Sequence, residues 1–404
     1  MLTLPLLAQY RHTQASFALA WVMDEGDSER QHGVTIGIAQ RRFATPRYEL
    51  TVLDSPGHRD YVPSMITGAV QADVGLLVVP ASVGEYESAT GLEAQTREHA
   101  TLLRTFGVSQ LLVVVNKMDS THPPWSAERY GYIVSTMSAV LFDEVRYARD
   151  AVRFVPLSGL TGENVVGVGS SCPLQAWYSG PSLVAAVDAF RAPTREARRP
   201  LRCLVVNVGC EAVRGCSVQV AVLQGVLSAG KCAHFVTANC VLLVKKIVNE
   251  KGDSLECLLP GEIGFVQLCE RSGRSSEDLN LFNYEVVCRG PGRVSRRQRL
   301  RGALVVSSRL TPPMIAGASY LMYIYGLEIE CVVEDILLLS SEGAPQQERP
   351  RCVTGESRSR VLVLLRLEYA IALEAYENCP ALGSFALRRA GKTCAVGAVV
   401  AVEA

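Results

Sequence analysis

The sequence predicts an α/β domain followed by two β-barrels. Three observations point there. Before residue 195, strand-like apolar runs alternate with helical stretches. After it, short β-rich runs are broken by Gly and Pro at intervals of about ten residues, as in a small barrel. The chain has 404 residues, room for two or three domains of roughly 150 residues each.

The strand-like runs of the first part are Glu49 to Leu53, Val74 to Val79, Leu111 to Val115 and Arg153 to Pro156. Helical candidates lie between them at Val62 to Val70, Glu93 to Phe106 and Ala127 to Leu141. This βαβα order implies a parallel sheet covered by helices on both faces. The basic stretch Arg195 to Arg202, with Pro200, reads as a linker. The first barrel is built from Leu204 to Val208, Ser217 to Leu223, Val241 to Val248 and Ile263 to Leu268. Residues 271–301 form a second break, Ser- and Arg-rich, before a β-rich block from Gly302 to Ala404.

Composition narrows the function. Hydrophobic residues make up 48% and charged residues 20%, which excludes a disordered or collagen-like chain. Lys+Arg and Asp+Glu are both 40, so a globally basic nucleic-acid binder is disfavoured and only a local patch remains. Apolar runs such as Leu111 to Val115 are far too short to cross a bilayer. Met1 to Gln9 is apolar but has neither a basic n-region nor a small-residue cleavage site, so no signal peptide is expected. The 13 cysteines all lie at Cys172 or later, with no Cys-x-x-Cys, and read as free thiols of a reducing cytosol. His99 and His234 lack a second ligand nearby in sequence, so metal binding by them is not expected.

Three strand-end loops carry the chemistry. The first is Asp54-Ser55-Pro56-Gly57-His58. A carboxylate at the carboxyl end of a strand points into the crevice where α/β sheets bind ligands, and can hold Mg²⁺ through water. Gly57 lets a backbone N–H approach a phosphate, and His58 can orient an attacking water. Alone, a strand followed by a Pro-Gly turn needs no function. The second loop is Asn116-Lys117-Met118-Asp119. Asp119 can accept the paired N1–H and N2–H₂ donors of guanine, which adenine lacks, so adenine would leave a buried carboxylate unpaired. Asn116 can tie its loop to neighbouring loops, and the Lys117 stem can cover the flat base. A polar turn after a strand is the plain alternative. The third loop is Ser158-Gly159-Leu160, whose backbone N–H groups can meet guanine O6. Each signal is weak alone; three in order, each at a strand end, rarely arise by chance.

On these residues the chain resembles the translational GTPases of the elongation factor one-alpha family. The matching stretches are Ala15-Ser16-Phe17, Ala20-Trp21-Val22, Gly33-Val34-Thr35-Ile36, Asp54 to Asp60, Met65 to Gly68, Gln95 to His99, Asn116 to Asp119 and Ser158 to Leu160. Leu382 to Arg388 and Gly391-Lys392-Thr393 resemble the close of the family's last barrel. The resemblance implies a P-loop-type G domain over residues 1–194, then barrels over 200–272 and 295–404. It implies GTP and Mg²⁺ as cofactors. Thr35 and Asp54 would meet Mg²⁺; Thr35 and Gly57 would meet the γ-phosphate. His58 would position water, and Asn116, Lys117, Asp119, Ser158, Gly159 and Leu160 would read guanine. Ala20-Trp21-Val22 beside the Gly-Val-Thr switch, with the late Gly391-Lys392-Thr393, is most similar to the HBS-type rescue or termination branch. The implied partners are the ribosome and a Pelota-type or release-factor-type protein, or aminoacyl-tRNA, for a cytoplasmic monomer.

One expected part is not in the sequence. A GTPase cradles phosphates with Gly-x-x-x-x-Gly-Lys-Ser/Thr after its first strand. No such loop occurs, so the G domain reads as lacking its first strand and P-loop, a segment of roughly 30 residues. Gly225 to Cys232 has the glycine spacing, but Cys232 stands where a hydroxyl is needed, and Ala386 replaces the first glycine before Gly391-Lys392-Thr393. Two readings stay open: an incomplete GTPase, or a natural pseudo-GTPase adaptor linking ribosome and RNA-decay machinery. Further departures are Gln31-His32 before Gly33, Pro80 interrupting the third strand, and Glu93-Ala94 before Gln95. Arg289, Arg293, Arg296, Arg297, Arg299 and Arg301 cluster between the barrels, as an RNA contact or a solvated linker.

Overall fold

The computed structural model describes residues 39–57, 61–90, 95–208, 218–249, 252–270, 281–290, 292–307, 310–340, 346–355 and 360–403. The chain forms two compact units, Met1–Ala192 and Pro193–Ala404.

In the first unit, β1 (Ala39–Ala44) and β2 (Glu49–Asp54) form an antiparallel ribbon. Then come α1 (Val62–Gln71), β3 (Gly75–Pro80), α2 (Glu85–Thr90), α3 (Gln95–Thr105) and β4 (Leu111–Asn116). After them follow α4 (Ala127–Ser138), β5 (Val152–Pro156) and α5 (Leu183–Asp188). The sheet β3-β4-β5 is parallel, with Gly75 opposite Leu111 and Leu111 opposite Val152. β4 is its central strand because both of its faces are apolar. Leu111, Val113 and Val115 pack with Ala100, Ile133 and Met137, whereas Leu112 and Val114 pack with Ala186, Val187 and Phe190. Ser126 caps α4 by accepting the Arg129 N–H at 3.1 Å.

Two expectations change here. Among the described residues Glu49–Leu53 does not join the parallel sheet; it pairs with β1, whose sequence AQRRFA has too few apolar residues to signal a strand. Pro80 does stand at the end of β3, as its last residue, opposite Asn116. Among the described residues β3 is an edge strand, and Ala81 N–H donates to Asn116 O. The short α2 and α5 carry no long periodic signal and were not expected. Thr35, His58 and the matching stretches before residue 39 lie outside the described residues, as do Arg59, Asp60, Glu93 and Ala94.

The second unit holds two β-barrels. In the first, six strands close into a ring: Leu201–Val208, Val218–Gln224, Ile263–Glu270, Cys240–Val248, Cys232–Phe235 and Val286–Arg289. In the second, the ring runs through Ser295–Val306, Arg360–Leu373, Leu327–Ser340, Ser319–Ile324, Ser384–Arg389 and Lys392–Glu403. Closure leaves no free edge in either ring. Within the segment read as a second break, Val286–Arg289 is strand and completes the first ring, and Ser295–Val306 opens the second. The arginine cluster is largely engaged. Arg299 pairs with Glu334 and Arg301 with Glu403, while Arg289 and Arg296 donate to the carbonyls of Val226 and Ala370. Arg202, read as linker, is 3% exposed and donates Nε–H to Glu374 Oε2 at 2.8 Å, a buried ion pair between the barrels. Gly225 is a barrel turn: its φ is +73°, and a Cβ there would stand 2.6 Å from Leu201 Cα.

Candidate functional site

The ends of β4 and β5 build the site from buried anchors outward. Met118 is fully buried, so the loop after β4 cannot turn as a unit toward solvent. Its N–H donates to Leu157 O at 3.2 Å and its carbonyl accepts from Trp125 N–H at 2.8 Å. With Met118 fixed inside, its neighbours Lys117 and Asp119 sit at the surface. Asn116 Oδ1 accepts from the N–H groups of Lys117 at 2.7 Å and Gly159 at 2.9 Å. One amide thus clamps both loops. Lys117 adopts a left-handed φ of 62°, and its Nζ lies 2.8 Å from Glu85 Oε2.

The loop after β5 is held in the same way. Ser158 is fully buried; its Oγ accepts from Thr161 N–H at 3.2 Å and its N–H donates to Glu163 O at 3.1 Å. The buried Asn164 donates Nδ2–H to Pro156 O at 2.7 Å. The N–H groups of Ser158 and Gly159 both have partners inside the protein, in Glu163 O and Asn116 Oδ1. Ser158 thus braces its own turn.

A cleft of about 680 Å³ opens at the carboxyl ends of β3 and β4, lined by Val78, Pro80, Glu85, Gln95, Asn116 and Lys117 among others. Parallel sheets bind ligands at such strand ends. Its far wall is α2, whose position Arg129 sets. Arg129 donates to Ala81 O and to Glu87 Oε1, both at 2.8 Å, and its guanidinium lies over the Tyr86 ring at 5.3 Å. The hydrogen bond from Arg129 holds the Glu87 carboxyl at about 2, well below its ordinary 4.5. Glu85, Glu87 and Arg129 were not singled out in the sequence; a pair of acids in the first helical turn is too common a signal.

Asp54 ends β2 and Gly57 follows it, but neither lines this cleft. A Cβ at Gly57 would meet nothing within 4 Å, so the protein's own packing does not demand glycine there. A single carboxylate at a strand end fits Mg²⁺, which takes one or two carboxylates together with phosphate oxygens and water. No group of three or more His, Cys, Asp or Glu side chains that could hold a metal by itself occurs among the described residues. On the base side, the acceptor Asp119, the clamped Asn116 and the Leu160 N–H suit the edge of guanine.

The chain is similar to known proteins. Residues 5–227 match the elongation factor Tu GTP binding domain, and residues 302–400 match the GTP-eEF1A C-terminal domain-like model. Elongation factor 1-alpha of Staphylothermus marinus is 34% identical over 391 residues, covering 96% of this chain and 86% of that protein. The Thermoplasma volcanium protein of the same name is 35% identical over 395 residues, covering 96% and 88%. In fold, the S. cerevisiae Ski7 GTPase-like domain bound to GTP superposes with a TM-score of 0.77 at 15% identity, covering 98% of this chain and 90% of that one. Elongation factor SelB of Methanococcus maripaludis, with a GTP analogue, gives 0.66 at 15% identity, covering 91% and 74%. With a G domain, two barrels and elongation factor 1-alpha relatives along almost its whole length, the chain belongs to the translation elongation factor family of GTPases.

Proposed function

We propose that the chain is a translation-factor GTPase that acts on the ribosome in elongation, termination or rescue and delivers a tRNA or a tRNA-mimicking protein to the A site. The observation that carries this is the loop Asn116 to Asp119, pinned by buried Met118 and clamped to the next loop by Asn116. In this reading Asp119 accepts the two donors of guanine, Lys117 covers the base, and the Leu160 N–H meets O6. Asp54 and Thr35 hold Mg²⁺, Gly57 approaches the γ-phosphate, and His58 orients water. Mg²⁺ supplies charge neutralisation of the phosphates. The resemblance of Ala20-Trp21-Val22 and Gly391-Lys392-Thr393 favours the rescue or termination branch, with a Pelota-type or release-factor-type partner in the cytoplasm. No helix among the described residues is long and apolar enough to cross a membrane.

A second reading is an adaptor that keeps the fold without turnover. No Gly-x-x-x-x-Gly-Lys-Ser/Thr occurs in the 404 residues. Such a loop supplies several charge-assisted hydrogen bonds of about 1.5–3 kcal/mol each. Titrating GDP and ADP into this chain should therefore give a guanine preference at weaker than micromolar affinity, abolished in Asp119→Ala. Affinity at or below micromolar contradicts the weak-phosphate expectation; equal GDP and ADP binding contradicts the site. An in-frame phosphate loop in the transcript upstream of Met1 favours the enzyme, and a stop codon directly upstream favours the adaptor.

A further inference from the structure

We infer that Glu85 is a positioning residue for the base-reading loop: its carboxylate holds the Lys117 ammonium so that the lysine stem is ordered before a purine docks at Asp119. This rests on the guanine-binding reading above. Both ends of the pair stand on fixed backbone. On one side, Lys117 has a left-handed φ of 62° and its N–H is taken by Asn116 Oδ1, which sets the direction in which the side chain leaves. On the other, Glu85 lies in the first turn of α2. That turn is held by Glu87, which accepts the Gly84 N–H at 2.7 Å and is gripped in turn by Arg129. The 2.8 Å contact between Lys117 Nζ and Glu85 Oε2 joins the two across one wall of the 680 Å³ cleft, which both residues line.

The pair's own contribution to stability is small. The side chains are 50% and 52% exposed, and such pairs are screened by water and salt. Its consequence lies in binding. A free lysine stem samples many rotamers, and covering a base would freeze them; the Glu85 contact orders the stem beforehand. The four-carbon stem then offers an apolar ledge, while its charge is held at the rim. Glu85 itself touches no base.

Four forms of the 404-residue chain test this: the wild type, Glu85→Gln, Lys117→Met and the double variant. Lys117→Met keeps an unbranched stem and removes the ammonium. Acetylation of the Lys117 amine by acetic anhydride, which releases acetate, is read by mass spectrometry and needs no nucleotide. It should be about two-fold or more faster in Glu85→Gln, because the amine is released. GDP affinity of Glu85→Gln should fall about two- to five-fold at low salt. The loss should vanish in the Lys117→Met background and shrink as salt rises. Unchanged acetylation, or an equal loss with and without the lysine amine, overturns the role of Glu85 while leaving a GDP-over-ADP preference intact. Equal GDP and ADP binding by the wild type overturns the guanine reading, and the role of Glu85 with it.

Discussion

The loop after β4 and the loop after β2 carry motifs of the same kind, a polar run at a strand's end, yet the protein supports them differently. Asn116 to Asp119 follows a strand whose five apolar residues are all buried, and it is pinned by the fully buried Met118. Asp54 to Gly57 follows a two-stranded ribbon whose surface is largely open, with Phe43 and Val52 at 43% and 37% exposure. The ribbon is tied to its unit at the turn instead, where Tyr48 Oη donates to Phe190 O at 2.8 Å and Arg47 to Asp188 O at 2.9 Å. The loop after β4 is thus held by buried anchors, whereas among the described residues the ribbon that leads to Asp54 adds Leu50 to the core and leaves Phe43 and Val52 open.

Several substitutions sharpen or break that contrast. Met118→Ala should have the largest effect, about 2–5 kcal/mol of destabilisation in urea unfolding, because it leaves a cavity under the base-reading loop. A loss below 1 kcal/mol would show that the loop is not held by its buried anchor. Asn116→Ala should cost about 1–3 kcal/mol, since the N–H groups of Lys117 and Gly159 lose their shared acceptor. Guanosine affinity should fall in step, and an unchanged affinity would mean that the clamp is dispensable.

The Glu87–Arg129 contact comes next, and its effect depends on pH. The folded-state value of Glu87 is depressed, so its contribution is full above pH 4.5 and is lost as pH falls toward about 2. Glu87→Gln should flatten the acid limb of the stability curve within that window. The effect is small because the carboxylate is 44% exposed; superimposable acid limbs would remove the contact from the account. Val52→Thr, on the open face of the ribbon, should change stability by no more than about 0.5 kcal/mol. A larger loss would mean that this face is covered.

Much of this was legible in the sequence, for physical reasons that differ by element. Leu111 to Val115 announced a strand of a parallel sheet because a continuous apolar run can be buried on both sides. The same logic placed Asn116, Lys117 and Asp119 at a strand end. β1 was hidden because its arginines and exposed side chains give a ribbon, not a core strand. Val286–Arg289 and residues 295–301 were read as part of a break because the stretch around them is Ser- and Arg-rich. The barrel tolerates the arginines by turning Arg299 and Arg301 outward onto Glu334 and Glu403. That Ser158 braces its own turn was not legible. Which partners the N–H groups of Ser158 and Gly159 take depends on Glu163 and Asn116, and that is decided by tertiary contacts.

The central claim is that the base-reading half of the site is already formed in this chain. Saturation-transfer NMR with guanosine and adenosine tests it most directly, because neither ligand carries a phosphate. The account predicts transfer to guanosine and not to adenosine, with the guanosine signal lost in Asp119→Ala. Equal transfer to both nucleosides, or a guanosine signal that survives Asp119→Ala, would contradict it.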